Sequence, residues 1–199
     1  MTIQIGEIIE SANSAKLIFA KEKAISCKKF VFANGYESLL YLKKKIARLH
    51  STYAIISKPV SKKYLFNLSY LTWETDRPYL YFRTTTENRI IVGGKDEMFY
   101  SPDKRDKLIY KKSLQLKKSF LKKYPDIPFE IDFAWAGTFA ETADGLPYIG
   151  TSKEYKHAYF ALGFGGNGIT FSQIAGKLSA ICMQRKKMRM RIYFLLTVK

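Results

Sequence analysis

A glycine-rich run near the C-terminal end of the sequence has the composition of a ligand-binding turn. The run from Gly163 to Gly168 reads G-F-G-G-N-G, follows a predicted strand and opens a predicted helix. Glycines let a backbone approach a ligand closely, and the first N–H groups of a helix offer positive potential to an electron-rich edge. A dinucleotide-binding turn would also need an acidic residue about 20 positions further on. The last acidic residue is Glu154, so two interpretations remain: a turn that binds nothing, and a helix N-terminus directed at a ligand.

The sequence holds no other pattern that is typical of a catalytic or metal centre. His50 and His157 stand apart from Cys27 and Cys182 and from clusters of carboxylates, so no group has the spacing of metal ligands. No P-loop, G-x-S-x-G elbow or H-E-x-x-H helix occurs. We therefore predict no metal and no catalytic side chain, and we expect both cysteines to be reduced thiols.

Short strands and two helices must position these residues. A first helix is predicted to run unbroken from its Ser101 cap to Tyr124. A second begins near Gly168 and buries an apolar face of Ile174, Leu178 and Ile181. Strands are predicted over seven runs rich in β-branched and aromatic residues: 17–20, 29–33, 52–57, 79–83, 89–92, 129–136 and 157–162. Helices and strands do not alternate, which favours an α+β class over a series of βαβ units.

The charge balance raises a second class of function. The 199 residues carry 34 Lys and Arg against 17 Asp and Glu, a net charge of +17, which is typical either of a module that binds anionic partners or of a lysine-rich surface. On the first helix the lysines form one stripe without aromatic residues: Lys104, Lys107, Lys111, Lys118 and Lys122. We interpret that stripe as solvent-facing and expect no nucleic-acid partner. No apolar run approaches the ~20 residues of a membrane span, and we expect a cytoplasmic protein.

Six segments, taken in order, resemble the C-terminal part of the D-amino-acid oxidase and glycine oxidase family of FAD-dependent oxidoreductases. They are 30–38, 50–57, 73–83, 89–97, 135–150 and 163–170. The resemblance implies FAD as cofactor, a small amine or amino acid as substrate, and hydride transfer from a substrate C–H to the flavin. It implies an α+β fold: an antiparallel sheet in the substrate domain and the remnant of an FAD-binding domain.

The resemblance also implies a division of the chain. Residues 1–45 would be part of the FAD-binding domain, 46–135 the substrate-binding domain, 136–184 the C-terminal part of the FAD-binding domain, and 185–199 a basic tail. The family's cleft and flavin-edge positions correspond here to Ala33, Asn34, Gly35, Gly163, Gly165, Gly166, Asn167, Gly168 and Ile169.

The substrate side departs from the family pattern. Glycine oxidases carry two arginines that clamp a carboxylate, and this sequence has Phe139 and Gly166 at those positions. Arg83, which shares one strand face with Tyr81, is the candidate replacement, and the alternative is an ordinary surface arginine. We predict a substrate site formed by Tyr81, Arg83 and Phe139.

The ends of the sequence suggest a history for the chain. The family's first βαβ unit has no counterpart, so we expect a truncated form that is inactive alone, unless a separate N-terminal FAD-domain polypeptide complements it. Residues 187–199 are basic, whereas a shifted reading frame with chosen codons gives the acidic ending typical of the family. The hypothesis of a frameshifted tail is tested by the nucleotide sequence of the gene. The alternative to an oxidoreductase is a non-enzymatic basic fragment that binds anionic partners.

Overall fold

The computed structural model describes residues 5–19, 23–65, 70–75 and 79–183. The basic tail and its frameshift hypothesis lie outside the described residues, as does Ala20 at the end of one predicted strand. In chain order the elements are β1 (Ile5–Glu10), β2 (Ala15–Phe19), β3 (Ala24–Cys27), β4 (Phe30–Phe32), β5 (Ala47–Ser57), β6 (Thr72–Trp73), β7 (Leu80–Thr84), β8 (Ile90–Met98), α1 (Pro102–Lys107), α2 (Ile109–Lys123), β9 (Ile131–Thr142), β10 (Tyr148–Ser152), β11 (Tyr155–Leu162) and α3 (Gly168–Met183). The chain forms two compact units, with borders between Arg48 and Leu49 and between Phe139 and Ala140.

The second unit is built on a five-stranded sheet in the order β6-β7-β8-β5-β9. The pairs β6–β7, β7–β8 and β8–β5 are antiparallel. Successive side chains of a strand point to opposite faces, so Leu80 and Phe82 of β7 enter the core with Leu116 and Phe120 of α2. The predicted α+β class with an antiparallel sheet is therefore confirmed.

The helical segment of this unit is divided, where the sequence predicted one continuous helix. The Ser101 hydroxyl accepts a hydrogen bond from the Lys104 N–H, and Pro102 occupies the first turn, as the sequence predicted. At Leu108 the N–H bonds back to the carbonyl oxygens of Arg105 and Asp106, which tightens the turn and separates α1 from α2. The α2 helix ends before Pro125 as predicted.

Two strands run further than predicted. The sequence placed the end of one strand at Gly93 and Gly94, yet β8 continues through both to Met98, and β9 extends beyond Ala136 to Thr142. The prediction is wrong because a glycine that accommodates a neighbouring group inside a strand has the same local signature as a glycine that ends one. In β8 Gly93 pairs with Tyr81 on one side and with Ala54 on the other.

The first unit contains two three-stranded sheets, β1-β2-β3 and β10-β11-β4. In the second of these, β4 and β11 pair in parallel, with Phe30, Val31 and Phe32 opposite Ala158, Tyr159 and Phe160. The rings of Phe32 and Phe160 stack with their centroids 4.8 Å apart. On α3 Ala175 is buried, whereas Ile174, Leu178 and Ile181, predicted as buried, are only half-buried.

The predicted lysine stripe of the helical segment lies exposed at all five positions: Lys104, Lys107, Lys111, Lys118 and Lys122. Among the described helices, none has both the length and the apolar character needed to cross a membrane.

A partly buried polar network joins the sheet of the second unit to α2. The Tyr53 hydroxyl donates to Glu97 Oε1 at 3.0 Å, and Lys112 Nζ lies 2.7 Å from Glu97 Oε2. Lys112 also donates to the Lys95 carbonyl oxygen and lies 5.0 Å from the centroid of the Tyr53 ring. Burial, with the Glu97 carboxylate adding to it, raises the pKa of Tyr53 to about 12.

This network predicts an alkaline loss of stability. A raised phenol pKa contributes stability that is complete below pH 10 and is lost as the pH rises from 10 to about 12. Over that range we expect the wild type to lose about 2 kcal/mol more unfolding free energy than Tyr53→Phe does. Urea unfolding at several pH values measures the difference. Tyr110→Phe, at a ring that is 75% exposed, is the matched control. Parallel curves for wild type and Tyr53→Phe would contradict the assignment.

Candidate functional site

The parallel pairing of β4 with β11 brings two predicted flavin-contacting segments to one sheet edge. Parallel strands end at the same edge, and ligands bind beyond the carboxyl ends of such strands. β4 ends at Phe32 and continues into Ala33, Asn34 and Gly35, whereas β11 ends at Leu162 and continues into the glycine-rich turn. Two segments about 130 residues apart in the sequence therefore converge at this edge.

The glycine-rich turn leaves β11 sharply and enters α3. A single 3-10 turn covers Gly165–Asn167, and Gly165 has φ +53°, a left-handed conformation that favours glycine. The Asn167 N–H donates to the Phe164 carbonyl oxygen at 3.1 Å. Phe164 forms an isolated bridge with Glu141, which fixes the turn against the end of β9.

The other segment at this edge is held by its own side chains. The Ser38 hydroxyl donates to Asn34 Oδ1 at 2.6 Å, and Ser38 is fully buried. This bond steadies the turn at Gly35, which has φ +64° and begins the 3-10 helix Gly35–Tyr41. The side-chain amide oxygen of Asn34 is thus used within the turn, while Ala33, Asn34 and Gly35 are exposed residues.

The residues at this edge fit a flat, electron-rich ligand such as the flavin ring. A Cβ built on Gly165, Gly166 or Gly168 would meet no atom within 4 Å, so open space adjoins the backbone there. α3 begins at Gly168, and its first N–H groups have no partner within the helix. Ile169 is 87% exposed, although an isoleucine gains stability when it is covered. The arrangement offers N–H donors, positive potential and an apolar contact together.

In the second unit, the predicted substrate residues Tyr81 and Arg83 lie on the sheet face opposite the α2 core. We call this the open face, and it carries Trp73, Tyr79, Tyr81, Arg83, Gly93 and Thr52. The Tyr81 ring crosses β8 directly over Gly93, and its hydroxyl is hydrogen-bonded to the Thr52 side chain. Burial raises the pKa of Tyr81, with the Asp96 carboxylate adding to it and the Thr52 bond opposing it. Arg83 is exposed.

Phe139 lies away from the other two predicted substrate residues. Its ring stacks on His50, with the centroids 5.4 Å apart. Three strand spacings separate β7 from β9, a distance of about 14 Å, so Phe139 does not touch Tyr81 or Arg83. The open face is several strands wide. The sequence did not predict that β7 and β9 are separated by two other strands, because strand order is not encoded locally.

The sequence reasoning did not assign four residues that shape this face. Gly93 and Thr52 fix the Tyr81 ring, and Asp96 accepts a hydrogen bond from the Tyr79 hydroxyl at 2.9 Å. Trp73 pairs with Tyr81 across β6 and β7. A signal was present in the glycine pair within a run of β-formers, because glycine inside a strand marks the close approach of another group.

The comparison with protein families decides the relationship of the chain. Residues 6–180 match the model of the family described as "DAO: FAD dependent oxidoreductase".

The chain belongs to this family of FAD-dependent oxidoreductases.

Individual proteins are also similar to this chain. The chain is 31% identical over 104 residues to the gamma-glutamylputrescine oxidoreductase of Escherichia coli strain K12, which is 50% of this chain and 22% of that protein. It is 39% identical over 54 residues to the glycine oxidase of Geobacillus kaustophilus, covering 27% of this chain and 14% of that protein. The crystal structure of L-proline dehydrogenase from P. horikoshii superposes with a TM-score of 0.76 at 21% identity, over 95% of this chain and 51% of that one.

These matches confirm the family resemblance and the FAD dependence of the family. The chain spans about half the length of the solved structure, and its aligned segments cover less than a quarter of each of these two curated relatives. Among the described residues there is no group of three side chains that could hold a metal ion.

The packing of Tyr81 over Gly93 yields a prediction. In Gly93→Ala the new Cβ would lie 2.2 Å from Tyr81 Cζ, so the ring must leave the sheet. We expect the pKa of Tyr81 to fall towards its ordinary value because the phenol becomes hydrated, with a stability loss of about 1–3 kcal/mol. NMR titration of Cζ-labelled tyrosine, assigned with Tyr81→Phe, measures the pKa.

Gly137→Ala is the control for this substitution. Its Cβ would meet Thr52 Cγ2 at 3.6 Å, an ordinary contact, so the Tyr81 signal should stay in place. An unchanged Tyr81 titration in Gly93→Ala would show that the ring does not depend on the glycine.

Proposed function

We propose that this chain forms the flavin-ring side and the substrate side of an FAD-dependent oxidoreductase that acts on amines or amino acids. The observation that carries the proposal is the convergence of Ala33–Gly35 with the Gly163–Gly168 turn at one edge of the β4–β11 pair. Open backbone at Gly166 and Gly168 leaves room for a flat ring there. The relatives named above include oxidoreductases of an amine and of amino acids.

The first unit would hold the pyrimidine end of the flavin. The free N–H groups at the start of α3 favour negative charge at a ligand edge, and the exposed Ile169 side chain gains a contact when a ring covers it. When bound, FAD supplies the acceptor for the hydride that leaves the substrate C–H next to nitrogen. We assign no side chain as acid or base, and the part of this chain is to bind, orient and polarise.

The open face of the second unit would hold the substrate. Tyr81, fixed between Gly93 and Thr52, presents a flat ring, and the exposed Arg83 guanidinium is two residues further along the same strand face. A guanidinium is suited to a carboxylate because it offers paired N–H donors. Phe139, stacked on His50, would border the face from β9.

The dinucleotide half of FAD would be held by a segment other than these 199 residues. The described part of the chain has one parallel strand pair, β4–β11, and the turn after β11 is not followed by an acidic residue. For this reason we propose that the isolated chain binds flavin weakly and does not turn over substrate. A complementing FAD-domain polypeptide would supply the missing contacts.

Titration with riboflavin and with FAD tests this division. If only the ring is held, the two ligands should bind the isolated chain within about threefold of each other, less than ~1 kcal/mol apart. Flavin fluorescence and chemical shifts measure both affinities. FAD binding much more tightly than riboflavin would contradict the missing dinucleotide site, and a failure of both to bind would contradict the ring site.

Gly166→Leu and Gly176→Leu provide the matched pair for that titration. Both glycines have open space around a built Cβ, so both substitutions are tolerated sterically. A side chain at Gly166 fills the proposed ring site and should weaken riboflavin binding about tenfold or more. Gly176 lies in the middle of α3, and its substitution should change nothing.

Arg83→Gln tests the carboxylate partner. N-acetylglycine and its amide differ only in the charged group, so the ratio of their affinities reports recognition of the carboxylate. We expect the wild type to bind the acid more tightly than the amide. In Arg83→Gln the ratio of the two affinities should fall by up to about fivefold, the contribution of an exposed charge pair. Lys122→Gln removes an exposed charge from α2 and is the control. A preference retained by Arg83→Gln would make Arg83 an ordinary surface arginine.

A further inference from the structure

Three aromatic rings on the open face form a partial enclosure. Trp73 and Tyr79 meet edge to face, with centroids 6.0 Å apart and planes at 71°. Tyr79 and Tyr81 are 6.4 Å apart with their planes at 38°. Trp73 is 62% exposed, so the enclosure is open to solvent on its side. We call the three rings with Asp96 the aromatic cage.

The Tyr81 ring is the floor of the aromatic cage. One side of the ring is pressed against the Gly93 backbone, where a Cβ would come within 2.2 Å, so the other side faces outward. The hydroxyl bond to Thr52 fixes the ring in this position. A ring held this way binds a cation at little entropic cost, because it is already immobile.

Asp96 gives the aromatic cage its charge. Its Oδ2 accepts a hydrogen bond from the Tyr79 hydroxyl, with the two oxygens 2.9 Å apart. Its Oδ1 is closed to solvent and, among the described residues, receives no hydrogen bond. Because a buried carboxylate is costly unless it is paired, the unpartnered Oδ1 favours a cationic partner nearby, and by accepting from the Tyr79 phenol the carboxylate makes that ring more electron-rich.

We propose that the aromatic cage of Trp73, Tyr79 and Tyr81 with Asp96 binds an organic ammonium group of the substrate. Clustered electron-rich rings with a carboxylate nearby recognise alkylammonium ions. The cation contacts the ring faces, and Asp96 acts through the Tyr79 hydroxyl as a positioning residue. This inference rests on the proposed function, since it specifies the substrate class of the same face.

The charges around the aromatic cage give the substrate a direction. Arg83 lies four residues beyond Tyr79 along the strand, about 13 Å away, so it does not compete with an ammonium group at the cage. Burial on its own would raise the pKa of the Glu74 carboxylate, but its Lys123 partner and the Leu80 N–H lower it, and Lys95, the neighbour of Asp96, adds the smallest contribution. A substrate with an ammonium group at one end and a carboxylate at the other would match both ends of this face.

Choline and 3,3-dimethylbutan-1-ol test the proposal, because they have the same shape and only choline is charged. Both are titrated into the full chain without flavin, following the indole N–H signals of Trp73 and Trp135. We expect choline to shift the Trp73 signal and to bind at least about fivefold more tightly than the alcohol. Equal binding of the two, or a shift at Trp135 alone, would overturn the proposal.

Three variants complete the experiment. Asp96→Asn keeps an acceptor for Tyr79 but removes the charge, so it should abolish the preference for choline, whereas Asp126→Asn, at an exposed site, should keep it. Trp73→Leu should weaken choline binding about tenfold, and it remains informative if Asp96→Asn fails to fold, because Trp73 is largely exposed. A choline preference that survives in a folded Asp96→Asn or in Trp73→Leu would overturn the proposal.

The choline titration is independent of the flavin titrations. If riboflavin binds and choline is not preferred over the alcohol, the proposed oxidoreductase function stands and the ammonium subsite is overturned. Choline preference without riboflavin binding would retain the cage as a cation site and remove the proposed function.

Discussion

The parallel pairing of β4 with β11 is the constraint on which the first unit depends. Only three residue pairs form it, yet it joins segments that are 128 positions apart, such as Phe30 and Ala158. Further contacts hold β11 in place: the two ring nitrogens of His157 lie 3.0 Å from the carbonyl oxygens of Ser11 and Lys28. The Glu10 carboxylate accepts from the backbone N–H groups of Lys156 and His157. This pairing is what places the two turns of the proposed flavin site at the same edge of the sheet.

In the second unit the two faces of the sheet differ. One packs against α2 to form the core, and the other is the open face proposed to hold the substrate. A register shift between β5 and β8, where Lys95 has φ +58°, directs two successive carboxylates to opposite faces. Glu97 serves the covered face, where it holds Tyr53 and Lys112, and Asp96 serves the open face, where it holds Tyr79. In a regular strand Asp96, three residues after Gly93, would lie on the face opposite to Gly93. The shift by one residue brings Gly93 and Asp96 to the same open face.

The sequence predicts the parts of this molecule that depend on local chemistry. Alternation placed Tyr81 and Arg83 on one face, and glycine content identified the turn before α3. It did not predict the β4–β11 partnership, because pairing between distant strands is decided by packing of the whole unit. It also ended β8 at Gly93, since a glycine that accommodates a ring from another strand has the same local signature as one that ends a strand.

The net charge of +17 opposes the binding of a cation at the aromatic cage. A strongly cationic protein repels an ammonium ion at long range, but at physiological ionic strength this repulsion is screened beyond about 8 Å. The exposed lysine stripe of the helical segment belongs to the side of the sheet that α2 covers, whereas the open face carries Asp96. Within the screening length the local carboxylate therefore outweighs the distant lysines. Asp96 Oδ1, which is closed to solvent and receives no hydrogen bond among the described residues, is the group that would offset the repulsion in the proposed cage.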